Sequence, residues 1–295
     1  MRKHPVVLGI CLLLLIGLFL LLLIVLAGSF FGKRTLAWGD RVGVVPLEGV
    51  IRNSQEISRQ LDAFGRDNSV KAIVIRIDSP GGGVTPSQEI HDAILAVRKK
   101  KKVIASMGSI AASGGYLVAC AADRIVANPG TVTGSISAIM HFANAEELLK
   151  KIGLKSSVVK SGQFKDIGSP TRPMTEEERA LIQALIDDTY DQFLDIVAKG
   201  RRIDKNDLRK LADGRLFTGR QAQKLGLVDE LGDLNHAVRL AGTLSGIEGE
   251  PDVVHPAKKK LSLWELIFNQ AVTALLEGLK QGDMRSEGLN YLYER

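Results

Sequence analysis

Cysteine is nearly absent from this 295-residue chain. Cys11 and Cys120 are the only two, and Cys11 falls inside a long apolar run, so no disulfide framework holds the fold. Histidine is scarce as well, with five residues. No histidine, cysteine and carboxylate group has ligand spacing, so neither a metal nor a cofactor is expected. Aromatics make up only 5% of the chain and are not interleaved with the basic residues, which argues against a nucleic-acid partner. The net charge is a modest +6. Its densest run, Lys99–Lys102 after Arg98, closes a predicted helix, where cations suit the dipole. Repeats and low-complexity tracts are missing too.

One long apolar run is present, at the N-terminus. Val6–Ala27 holds no charged side chain over 22 residues. As a helix it would be about 33 Å long, enough for a hydrocarbon core of roughly 30 Å. A cleavable signal peptide has a shorter apolar stretch and a small-residue cleavage site, whereas Gly28-Ser29-Phe30-Phe31-Gly32 offers none. Residues 1–34 are therefore expected to be a retained single-pass anchor, with a transmembrane helix over about 6–27. Arg2 and Lys3 before it, against Lys33 and Arg34 after it, lean slightly toward a cytoplasmic N-terminus and an extracytoplasmic body.

From Arg41 onward short β-branched runs alternate with helical stretches, the pattern of an α/β domain with a largely parallel sheet flanked by helices. Strands are predicted at Val42–Pro46, Ala72–Ile77, Val103–Ser106, Arg124–Ala127 and Ile136–Met140. Helices are predicted at Ser54–Phe64, Ser87–Lys99 and Ser113–Ala121. A more helical half follows. Thr175 with Glu178 forms a capping box opening a helix to about Lys199, and shorter helices start near Thr218 and Asp233. Residues 41–245 form the expected globular domain. Within 251–295, Lys258–Lys260 precede an amphipathic pattern from Leu261 to Leu276, expected to pack on the body, on a sister subunit or on a membrane surface.

Three small-residue segments have the makings of a site. Asp78-Ser79-Pro80-Gly81-Gly82-Gly83 follows an apolar strand and opens onto a helix, leaving backbone N–H groups uncovered for an anion or developing oxyanion. Gly108 to Tyr116 places Ser113 between alanines and glycines at a strand-to-helix turn, open to an incoming carbonyl. Lys160-Ser161-Gly162-Gln163-Phe164-Lys165-Asp166-Ile167 reads by itself as an ordinary basic loop.

Together with Gly134-Ser135-Ile136, and in this order and spacing, these segments resemble the signal peptide peptidase A family over roughly residues 42–245. The resemblance implies a Clp-protease-like, crotonase-related fold and a Ser–Lys dyad. Ser113 would be the nucleophile and Lys165 the general base 52 positions later. Ser135 would orient the lysine, and Gly82 and Gly114 would give the two oxyanion-hole amides. It also implies ring-like, membrane-anchored homo-oligomers that degrade remnant signal peptides; in such a ring a neighbour could contribute to each site, and whether the dyad lies within one subunit or spans two is left open by the sequence. Ser137, where the family usually has glycine, is the one departure noted.

A lysine is a base only when neutral. At the reference pKa near 10.4 about one part in a thousand is neutral at pH 7.4, and lowering that value by about three units corresponds to roughly 4 kcal/mol. Asp166 beside the base is a complication, so its carboxylate is expected to face away. A Ser–His alternative would use His141, which is expected instead to be a satisfied strand histidine. A crotonase-type acyl-CoA enzyme and a non-catalytic scaffold are the rivals from other classes. Finally, the tail Tyr291–Arg295 is a candidate occupant of a peptidase groove, open to trimming.

Overall fold

The computed structural model describes residues 13–22 and 39–256. Residues 13–22 form a helix, α1. No helix among the described residues is long and apolar enough to cross a membrane. The expected span over 6–27 extends past the described stretch on both sides, and the tail beyond 256 lies outside it.

The body is a sheet of parallel strands with helices between them. β1 (Arg41–Glu48), α2 (Gln55–Arg66), β2 (Val70–Ser79), α3 (Val84–Arg98), β3 (Lys102–Ala112), α4 (Gly114–Ala119), β4 (Arg124–Ala127) and β5 (Val132–Gly134) make the first half. Then come α5 (Glu146–Lys151), α6 (Glu176–Arg201), α7 (Lys205–Arg209), β6 (Leu216–Thr218), α8 (Gly219–Lys224), β7 (Glu230–Leu231), α9 (Leu234–Leu244) and β8 (Asp252–Val254). The strand order is β6-β5-β3-β2-β1-β8, with β4 beside β3 and β7 beside β4. Every pairing is parallel except β5 with β6.

Strands covered on both faces must be apolar nearly throughout, and β2 shows why this segment is one: Ile73, Val74, Ile75 and Ile77 are all fully buried. One face packs against α2, α3, α4 and α6, and the larger core includes Leu61, Ile90, Ile94, Tyr116 and Leu194. The other face puts Val42, Val44, Ala72, Val74 and Ile104 under Ala237, Val238 and Ala241 of α9. The predicted capping box is present: Thr175 accepts from the Glu178 amide, and the Glu178 carboxylate accepts from the Thr175 amide.

Four expectations need correction. β3 runs on to Ala112, exchanging partners along its length: Ile104–Met107 pair with β4, and Ile110–Ala112 with β5. The strand expected at Ile136–Met140 is instead the three-residue β5 just before it, and 135–145 has no regular structure. Ser135, at φ 52°, turns the chain off the sheet. In the apolar run that follows, Ile136 enters the core while Ala138, Ile139 and Met140 line a cavity. His141 accordingly is an exposed loop residue, not a buried strand histidine. The sheet also continues past residue 245, because β8 pairs with β1 through Arg41↔Asp252 to Gly43↔Val254.

Candidate active site

Ser113 ends β3 and caps α4. Its backbone, φ 52° and ψ −123°, lies where a residue with a Cβ rarely settles. Such a conformation costs on the order of 1–3 kcal/mol and persists only when its surroundings impose it. Here they do. The Ser113 amide donates to Gly134 O at 2.8 Å, continuing the ladder of β3 with β5, while the next residues begin a helix whose six members are all buried. The chain must turn sharply at Ser113, and the turn pushes its side chain outward, as in nucleophile elbows.

The glycine loop after β2 abuts this turn. A Cβ on Gly81, itself at φ 101°, would lie 2.7 Å from Gly114 N and 2.8 Å from Ser113 Cβ. A Cβ on Gly82 would lie 2.2 Å from Ile51 O, so the loop is wedged between two backbones. Gly81 N donates to Ser79 Oγ at 3.1 Å and Gly83 N to Ile51 O at 2.8 Å. The amides of Gly82 and Gly114 take no part in these ties. Gly82 lies on the glycine loop and Gly114 is the first residue of α4. Asp78 steadies the strand end by accepting from Ile110 N at 3.1 Å.

Ser113, Gly82 and Gly114 open into a cavity of about 240 Å³. Its wall is apolar: Val84, Leu117, Ile139, Met140, Leu185, Ile186 and Phe193 all contribute. Sequence reasoning missed the α6 residues, which follow Ser113 by some seventy positions. Their only local signal was an apolar stripe on a long helix. Ser87, fully buried and donating to Gly83 O at 2.8 Å, also lines the cavity and was missed.

Ser135 stands at the end of β5, next to Ser113 across the ladder and half-buried; its amide donates to Arg215 O at 2.9 Å. Lys165 is not part of the cavity lining. It sits on the exposed turn 161–168 and has no hydrogen bond to Ser113 or Ser135 among the described residues. Its neighbour Asp166 is engaged by other cations, and no ion pair joins it to Lys165 among the described residues. Arg172 grips that carboxylate with Nε and Nη2, both at 2.9 Å, and Lys160 pairs with it too. Hydrogen bonds from Arg172 and Lys160 hold Asp166 well below the usual carboxylate range. His141 and Arg172 line a second, polar cavity that also touches Met140 and Ile186. Among the described residues no group of histidine, cysteine and carboxylate side chains has a metal-binding arrangement.

The profile of Peptidase family S49 matches residues 96–248, which include Ser113, Ser135 and Lys165. A Synechocystis sp. chain provisionally named a protease is 49% identical over 183 residues, 62% of this chain and 65% of that one. A second provisionally named protease, from Methanocaldococcus jannaschii, is 32% identical over 277 residues, 89% of this chain and 88% of its own length. An Enterococcus faecium chain with the provisional name signal peptide peptidase SppA is 39% identical over 181 residues, 61% of this chain and 53% of that one. With a strained serine between two glycine loops, and with matches of this breadth, the chain belongs to peptidase family S49, the signal peptide peptidase A family.

Proposed function

We propose that this protein is a membrane-anchored serine endopeptidase. On this reading it cleaves remnant signal peptides and other apolar peptides with a Ser113–Lys165 dyad on a Clp-protease-like frame. The observation that carries the reading is the strained Ser113, set between the Gly82 and Gly114 amides at the mouth of an apolar cavity. Ser113 Oγ attacks the peptide carbonyl carbon as Lys165 Nζ takes the hydroxyl proton. The oxygen that gains charge meets the two amide donors, preorganised by the backbone that carries them. Collapse breaks the C–N bond, Lys165 returns the proton to the leaving amine, and water hydrolyses the acyl-serine by the same route.

Lys165 must be brought to Ser113 for this to work, and we assign that task to a neighbouring copy in a ring-like homo-oligomer. The support is the surface that carries the lysine. Ile139, Phe142, Leu148, Ile152 and Leu154 are exposed, and Val159 is 100% exposed, more apolar area than a solvated loop needs. Covering it with a sister subunit would also exclude water from the amine. Ser135 would then orient the amine without adding charge. The N-terminal apolar run would hold the ring where apolar peptide remnants collect, with the body outside the cytoplasm. No cofactor enters the scheme.

The test is turnover of a signal-peptide-like fluorogenic peptide by Ser113→Ala and Lys165→Ala, with folding checked by circular dichroism. Both should lose all activity, and Ser113 should be labelled by a fluorophosphonate. Mixing the two inactive variants should restore part of the activity if the dyad spans copies. Full turnover by Lys165→Ala would remove the dyad, and activity lost with His141→Ala instead would reassign the base.

A further inference from the structure

We propose that Arg172 is a positioning residue for the general base: with Lys160 it turns the Asp166 carboxylate away from the adjacent Lys165 amine and cancels its charge. The inference rests on the reading of Lys165 as the base. An amine that must be neutral to accept a proton is poorly served by a carboxylate on the next residue, because an opposite charge within a few ångströms favours the ammonium form. The fold answers this with a closed ionic cluster. Arg172 uses Nε and Nη2 on the two oxygens of Asp166, each at 2.9 Å, while Nη1 reaches Glu178 Oε2 at 2.8 Å. Lys160 adds an ion pair to Asp166 and donates to Gln163 O at 2.7 Å, closing the loop on itself.

The charges facing Asp166 come from three places: Lys160 on its own loop, Arg172 on the following segment, and Glu178, through Arg172, on α6. Glu177 is engaged separately, accepting from Gln163 Nε2 at 2.9 Å. Two cations and two carboxylates make the cluster neutral, so its net field at Lys165 is small. Glu178, almost fully buried and also accepting from the Thr175 amide at 2.9 Å, fastens the cluster to the first turn of the 26-residue α6. The turn that carries Lys165 is thereby tied to a helix that lines the substrate cavity. A surface ion pair made only for stability would not need its carboxylate one residue from the base.

The test is the pH profile of kcat/KM on the intact protein. Removing the Arg172 charge leaves the cluster at −1, so Arg172→Gln should move the acid limb up by about half to one pH unit. Asp166→Asn leaves +1 and should move it down by a similar amount. The double variant returns to neutrality, and its limb should return to the wild-type position. Arg172→Lys keeps the charge but loses the fork, so kcat should fall several-fold with the limb unmoved. A merely structural role would lower kcat in all four without moving the limb, and that outcome overturns the inference. If Arg172→Gln proves unfolded, the direction of the Asp166→Asn shift decides, and an unmoved or raised limb refutes the proposal. Full turnover by Lys165→Ala would instead refute the base assignment on which it stands.

Discussion

Replacing Gly114 by alanine tests the oxyanion reading at its narrowest point. The added methyl would lie 2.4 Å from Ser87 Oγ, 3.2 Å from Ser87 Cβ and 3.4 Å from Gly82 N. The first distance is impossible, so something must move. Ser87 has little room to do so: it is buried and its hydroxyl donates to Gly83 O at 2.8 Å. Rotating it away gives up that hydrogen bond, at about 0.5–1.5 kcal/mol, while Gly83 O keeps the Ser87 amide at 3.2 Å. The alternative is that α4 slides off, separating the Gly114 amide from that of Gly82. Losing one oxyanion donor lowers kcat by about 10²–10³-fold, so Gly114→Ala should fall by about 10²-fold with modest destabilisation. Ser87→Ala removes the atom in conflict and leaves 3.2 Å as the tightest contact. The double variant should therefore recover at least about tenfold in kcat over Gly114→Ala, a coupling expected only of groups in contact. Steady-state kinetics on one apolar peptide measures all three variants. Wild-type kcat in Gly114→Ala, or no recovery in the double variant, would refute the assignment of this amide.

Three further outcomes are expected. A peptide presenting leucine to the cavity should be cleaved faster than one presenting alanine by about 10–60-fold, from up to three buried carbons at about 0.8 kcal/mol each; equal rates would mean that the cavity is not a subsite. Tyr116→Phe deletes a buried hydroxyl donating to Leu227 O at 2.9 Å, so calorimetry should find a loss of about 1–2 kcal/mol and a Tm lower by about 3–6 °C. Hydrogen bonds from Arg172 and then from the Thr175 amide lower the Glu178 pKa to about 2, so its stabilisation is full above the ordinary carboxylate range and fades as pH falls toward 2. Glu178→Gln should accordingly be less stable than wild type at neutral pH, with the gap closing on acidification, and a pH-independent gap in denaturant melts would contradict this.

Legibility followed how local the physics was. β2 was readable because strands buried on both sides cannot hide their composition, and Ala72–Ile77 lies within Val70–Ser79. The start of α6 was readable because a capping box involves only Thr175 and Glu178. The run Ile136–Met140 was misread for the opposite reason. Ala138, Ile139 and Met140 serve a cavity whose other walls, Leu185, Ile186 and Phe193, arrive from a helix far along the chain. Three-residue strands such as β5 and β8 carry no periodicity, so their pairing is decided by the neighbours they meet. Lys165 is the limiting case. Its turn is exposed and polar, and nothing in its composition separates it from any basic loop; only the resemblance singled it out.

What the fold adds to that resemblance is a reason for two serines. Ala112 pairs with Gly134, so the residues that follow them, Ser113 and Ser135, leave adjacent parallel strands side by side, and both take φ 52°. Neighbouring strands lie about 4.8 Å apart, and the hydrogen bond from Ser113 N to Gly134 O fixes that spacing at this edge. On the proposed reading, an amine hydrogen-bonded to Ser135 would therefore arrive within reach of Ser113 whichever chain delivers it. The accuracy of the dyad would come from the sheet, and the segment bearing Lys165 would need only to bring the amine within range of Ser135. An exposed turn on the end of an ionic cluster can meet that demand, where one asked to set the Ser–Lys distance by itself could not.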